Sequence, residues 1–180
     1  EEPAVARIAQ ALGMTYAFYP GPEAFPGALL SRGRILESMN CPLAGGMARP
    51  QDLLTRHFGR AIVETPLGEC VVFNAHLHPN SRPIRLREIA LILDAMKADL
   101  EGGRSVLLQG DLNHKPDTPE YEQWLGAGLV DAFAAKGTGV DGTVVSTQPK
   151  SRIDYIWAHG PLAARIQECR TLFEGAFRVN

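Results

Sequence analysis

Apolar residues recur in two rhythms along this chain. From 84 to 100 the spacing is helical: Ile89, Leu93 and Met96 form one stripe with Ile92 beside them, as an amphipathic helix requires. Gly102-Gly103 ends the pattern. Residues 3–12 repeat it, with Val5, Ile8 and Leu12 on one face, Pro3 in the first turn and Gly13 at the stop. A shorter helix is expected over 119–125. Elsewhere the apolar residues come in β-rich runs, at 14–19, 28–31, 35–39, 59–65, 69–76, 105–109, 153–158 and 164–172. Pro66-Leu67-Gly68 joins the fourth and fifth runs as a hairpin. The run CVVFNAH is almost continuously apolar, which predicts a strand covered on both faces. SVLLQ reads the same way. Residues 111–117 read as a loop and 137–142 as a Gly-rich connection. Strands alternating with helices predict an α/β or α+β class, with 105–109 and 153–158 as interior strands.

Composition narrows the class. A chain of 180 residues predicts one domain, 1–180, large enough to bury a core without staples. Hydrophobic residues at 45% and charged residues at 21% exclude a disordered tail, a collagen-like rod and a coiled coil. The longest greasy stretch, 89–96, is broken by Asp94, so no membrane span is expected. A net charge of −2 argues against gripping long nucleic acid by charge, so any such role rests on a local site. Cys41, Cys70 and Cys169 form no CxxC pair; three reduced thiols and a cytoplasmic protein are expected.

Three segments carry chemistry. Gly110-Asp111-Leu112-Asn113 follows the buried run SVLLQ. In an extended segment residues two apart project to one side, so Asp111 and Asn113 would share a space and could orient a water and hold an oxyanion. The competing reading is an Asx-turn. In Ser151-Arg152-Ile153-Asp154-Tyr155-Ile156-Trp157 a carboxylate sits among strong β-formers; it is either a solvated edge residue or an acid that orients a histidine. In Phe73-Asn74-Ala75-His76-Leu77-His78-Pro79 a lone strand-end histidine is more often structural. His76 and His78 together would suit zinc only with a third ligand, and none is evident.

Together the order N-A-H-L, G-D-L-N, R-I-D-Y-I resembles the endonuclease/exonuclease/phosphatase superfamily, the deoxyribonuclease I-like fold, in its bacterial hydrolase branch. Leu29-Leu30-Ser31-Arg32, Arg85-Leu86-Arg87-Glu88 and Asp117-Thr118-Pro119-Glu120-Tyr121 resemble further segments of the family. The resemblance implies a four-layer sandwich of two mixed β-sheets flanked by helices, and hydrolysis of a phosphate ester with magnesium or manganese. It implies that Asp111 aligns or deprotonates the attacking water and touches the metal. Asn113 holds a non-bridging oxygen, His76 donates to the phosphate, and Asp154 orients a second, C-terminal histidine. Substrates of the family span nucleic acid, sugar phosphates and lipid headgroups, and the motifs do not choose among them or fix the oligomeric state.

The sequence departs from the family's pattern at both ends. The family opens with a strand and a Q-E whose Glu is the main metal ligand, and closes on S-D-H. Here the chain opens at Glu1-Glu2-Pro3 and closes at Phe177-Arg178-Val179-Asn180. The expectation is a domain lacking its terminal strands, with the metal Glu either Glu1 or, the favoured reading, just upstream of it, so that these 180 residues alone are weak or inactive. Gly27 stands where the family has Asn. The alternative function is a catalytically inactive member that binds a partner through the same cleft. His114-Lys115 is expected to be a solvated loop, Arg85 and Arg87 to flank a helix start, and Trp124, Tyr155 and Trp157 to be packing residues.

Overall fold

A computed structural model describes residues 2–21, 25–41, 56–144 and 150–172. Helix α1 (Glu2–Leu12) leads into β1 (Thr15–Tyr19), β2 (Gly27–Ser31) and β3 (Ile35–Asn40). The hairpin β4 (Phe58–Thr65) and β5 (Gly68–Ala75) precedes the long α2 (Arg82–Glu101) and β6 (Val106–Asp111). Then come α3 (Pro119–Gly126), β7 (Val130–Asp131), α4 (Ala132–Lys136), β8 (Gly137–Thr138), β9 (Asp154–His159), a 3-10 turn at Gly160–Arg165 and β10 (Cys169–Arg170). The run expected at 164–172 is therefore mostly not strand: Pro161 in the turn and the loop after it leave only β10. The two residues of β7 and the short α4 were not legible in the pattern.

Among the described residues the main sheet has six strands in the order β3-β4-β5-β6-β9-β7. Its centre, β5–β6, is parallel and its other pairs are antiparallel, so the sheet is mixed. SVLLQ and IDYIWA fall in β6 and β9, both flanked by strands on either side. Two small sheets accompany it, β1-β2 and β8-β10.

Side-chain alternation sends successive residues to opposite sides of the main sheet. On one side Val71, Phe73, Val106, Leu108, Tyr155 and Trp157 pack against Ile89, Ile92 and Met96 of α2 and Trp124 of α3 in the larger core. On the other, Ala61, Val63, Cys70 and Val72 pack against Ala17, Tyr19 and Leu29 of β1-β2. That two-sided cover is why CVVF is buried residue after residue. The α2 stripe runs through Ile89, Ile92 and Met96, with Leu93 half-buried at its margin.

Polar anchors fix the helix ends. Thr118 caps α3 by accepting from Tyr121 N at 3.4 Å, ahead of Pro119. Asp131 caps α4 through Phe133 N and Ala134 N. The Cys41, Cys70 and Cys169 thiols are free. No helix among the described residues is long and apolar enough to cross a membrane.

Candidate active site

The candidate residues come from distant points in the chain and meet by strand parity. His57 extends β4, with its carbonyl accepting from His76 N at 3.0 Å, so the two histidines stand opposite each other. Asn74 and His76 lie on the β1-β2 side of the sheet, in step with Cys70 and Val72. Asp111 is in step with Leu107, and is the registered partner of Asp154. One end of one sheet face thus collects His57, Asn74, His76, Asp111 and Asp154.

Gly110 makes the approach possible. Its φ is +143°, and a Cβ there would lie 1.9 Å from the Ala75 carbonyl oxygen, so only glycine lets β6 close on β5 at this point. Strand β6 runs through it to Asp111, two residues beyond the expected end.

Asp111 then makes the Asx-turn. Its Oδ1 accepts from Asn113 N at 3.0 Å, and Asn113 adopts φ +52°. The segment is not extended beyond Asp111, and the turn rather than alternation sets the direction of Asn113. The Asn113 amide donates to the Leu77 carbonyl at 2.8 Å, tying the turn to the histidine loop. The other Asp111 oxygen, Oδ2, faces His76 Nε2 at 3.5 Å, longer than a formed hydrogen bond. Burial first, and then the Asp154 charge, push the Asp111 carboxyl up to about 6, against the pull of the Asn113 N–H and Arg56. Burial, with Arg56 and His57 nearby, lowers His76 to about 4, so this imidazole is neutral at pH 7.

Asp154 is exposed, at the first position of β9. Strand β9 is paired by β6 along its length but by β7 only at Trp157 and Ala158, so Asp154 has a strand on one side alone and its carboxylate is open to solvent, in keeping with the solvated-edge reading. Thr143 holds the start of this strand, its hydroxyl oxygen accepting from Ile153 N at 3.1 Å and Asp154 N at 3.3 Å.

Several expectations change. His114 is not in a solvated loop: it is 3% exposed, stacks on Tyr155 with ring centroids 4.8 Å apart, and its Nε2 accepts from the Trp124 indole at 3.1 Å. Burial holds it down to about 4. Arg85 is buried, donating to Glu120 Oε1 and to the His78 and Pro79 carbonyls. His78 Nδ1 accepts from Asn80 N and Ser81 N, which makes it a turn residue and removes it from a zinc pair with His76. Trp124, Tyr155 and Trp157 are buried, as expected of packing residues.

Two residues escaped the sequence reading. Arg56 lies 3.7 Å over the Phe25 ring, and Phe25 meets His76 edge-on at 5.9 Å. This layered group sets a cation beside the Asp111–His76 pair. His57 packs at 6.0 Å from His76. Neither belongs to a motif, so only the fold reveals them.

Among the described residues no group of three or more His, Cys, Asp or Glu side chains is placed to hold a metal. The carboxylates of Asp111 and Asp154 are nonetheless hard oxygen donors. Magnesium commonly binds through one or two such groups, with water and substrate phosphate completing its shell. The donor chemistry therefore fits the implied cation.

A model of the Endonuclease/Exonuclease/phosphatase family matches residues 4–175. A functionally unknown conserved protein from Enterococcus faecalis shares the fold with a TM-score of 0.71 at 18% identity, over 89% of this chain and 69% of that one. A mannosyl-6-phosphatase from Bacteroides thetaiotaomicron gives 0.66 at 20% identity, over 83% and 63%. The human Nocturnin catalytic domain with bound sulfate anion gives 0.62 at 19%, over 87% and 63%. The chain spans 60% and 63% of the first two solved structures it resembles. No curated protein matches it by sequence.

Proposed function

Because this chain belongs to the endonuclease/exonuclease/phosphatase family, a family of phosphoester hydrolases, we propose that it serves a divalent-metal-dependent phosphoester hydrolysis centred on Asp111. The observation that carries this reading is the meeting of Asp111, His76 and Asp154 at one end of one sheet face, with the Asn113 turn beside them. In this reading Asp111 Oδ2 aligns the attacking water and accepts its proton as the new P–O bond forms. The leaving oxygen departs with its bonding electrons and takes a proton from solvent. The neutral His76 imidazole donates an N–H to a phosphate oxygen, where charge grows in the transition state. Asn113, locked to the Leu77 carbonyl through one amide hydrogen, has a second to offer a non-bridging oxygen. Arg56, held flat on Phe25, adds positive charge at the rim.

Asp111, with Asp154 beside it, would hold magnesium or manganese. When bound, that cation neutralises phosphate charge and polarises the ester. The net charge of −2 favours compact phosphoesters over long duplexes.

The test is hydrolysis of p-nitrophenyl phosphate and bis(p-nitrophenyl) phosphate by the full-length protein, with added magnesium or manganese and with EDTA. The expected result is turnover that EDTA abolishes and that Asp111→Asn lowers by at least about a hundredfold. Turnover that survives EDTA removes the metal from the proposal, and equal rates for the two proteins remove Asp111.

A further inference from the structure

The two sheets interlock at the active end through two rings and two glycines. Tyr19 and Gly27 are registered partners in β1-β2, while His57 and Gly59 lie two apart on the facing strand. The Tyr19 ring lies on Gly59, where a Cβ would come within 2.3 Å of it. The His57 ring lies on Gly27, where a Cβ would come within 2.1 Å of Nε2. Each sheet thus inserts a ring where the other has no side chain, and each ring is buried.

The Tyr19 ring fills its place by volume, its buried hydroxyl finding no hydrogen-bond partner among the described residues, but His57 is held at both nitrogens. Its Nδ1 faces the Phe25 carbonyl oxygen at 3.1 Å, and its Nε2 stands 2.5 Å from Asn74 Oδ1. A ring bonded at both ends and clamped from two sheets has lost its rotamer freedom. Its neighbour is His76, nearly perpendicular to it at 77° and bonded to it through the backbone. Phe25, whose carbonyl holds His57, also packs edge-on against His76.

We propose that His57 is a positioning residue for His76: seated on Gly27 and tied to Phe25 and Asn74, it fixes the wall against which the His76 imidazole stands. The polar ties matter as well as the volume, because they set the plane of the ring. The role rests on the reading of His76 given above, but the placement itself can be tested without substrate.

The experiment follows the His76 ring signals in a long-range proton–nitrogen spectrum at pH 8, with no substrate or metal, alongside kcat and KM with magnesium. His57→Ala should shift and broaden the His76 signals and lower kcat about tenfold, with KM within about twofold. His57→Phe restores bulk without the polar ties and should behave like His57→Ala. His57→Gln keeps a polar group at the Nε2 end, facing Asn74, and should return the His76 signals and kcat part of the way. Should His57→Ala fail to fold, Gly27→Ala makes the same test from the opposite sheet by driving a methyl into the ring. Unchanged His76 signals in whichever variant folds overturn the proposal, and so does a wild-type spectrum in His57→Phe. If the spectra respond as expected but no phosphoester is turned over, the positioning stands and the hydrolytic reading fails.

Discussion

Asp111 and Asp154 face each other as registered partners, the last residue of β6 against the first of β9. Like charges directly opposite on paired strands destabilise a sheet. Among the described residues no lysine or arginine forms an ion pair with either carboxylate. Burial first, and this opposed charge second, raise the Asp111 carboxyl. At pH 7 the ionised Asp111 therefore weakens the fold, as groups kept for chemistry commonly do. Asp111→Asn keeps the acceptor that Asn113 N needs and removes the charge. It should lose activity and gain roughly 1 kcal/mol of stability at pH 7, a figure discounted for a partly solvated group. A lower urea midpoint for the variant would contradict this account.

Stability should fall in mild acid. His76 and His114 are lowered from 6.5 to about 4. Between those values the unfolded chain holds a proton on each and the folded chain does not. Their contribution is complete above pH 6.5 and is lost as pH falls toward 4. Asp111, raised from 3.8 to about 6, works in the opposite direction over most of that window, since the folded form keeps its proton longer. Two groups against one leave a net loss of about 1–2 kcal/mol between pH 7.5 and pH 5. Urea melts at the two values measure it. Asp111→Asn, lacking the opposing group, should show the steeper loss. A midpoint independent of pH would show that the two imidazoles are not held neutral by burial.

Gly110→Ala should be among the most damaging small substitutions in the chain. The added methyl meets the Ala75 carbonyl oxygen, and the backbone conformation is one that L residues rarely adopt. A cost of about 3 kcal/mol or more is expected from strain and clash together. Because the same residue aims Asp111, surviving folded protein should also be inactive. Wild-type turnover in a folded Gly110→Ala protein would mean that β6 does not need this close approach.

Arg85→Ala should destabilise by about 3–5 kcal/mol, since it leaves the fully buried Glu120 short of its best partner. Arg85→Lys should recover little, because the guanidinium serves Glu120 and two loop carbonyls at once. Those carbonyls belong to the loop that follows His76, so limited proteolysis should nick the variant near 78–80 before the wild type. Equal resistance would separate this ion pair from the loop.

Much of this architecture was legible because it rests on local pattern. The hairpin at 66–68, the α2 stripe and the buried runs of β5 and β6 follow from spacing and turn chemistry alone. The motif residues Asp111, His76 and Asp154 were legible as types, and the family order placed them together. What was not legible depends on partners far away in sequence. Nothing near His114 announces that Trp124 and Tyr155 enclose it, or that Glu120 draws Arg85 inside. His57 and Arg56 sit outside any motif, and the space that His57 fills exists only because Gly27 arrives from another sheet. At Asn113 the residues offered both strand alternation and an Asx-turn, and the fold adopts the turn.

The strand residues of the site share one side of the six-stranded sheet, whereas the larger apolar cluster occupies the other. Chemistry and most of the adhesive energy are therefore kept on opposite sides of a single wall. Substitutions that rewrite the reactive side need not disturb the wall's backing, and drift among the tryptophans and leucines behind it need not reach the reactive groups. A scaffold divided in this way can be retuned to new esters, or stripped of turnover altogether, while keeping its fold.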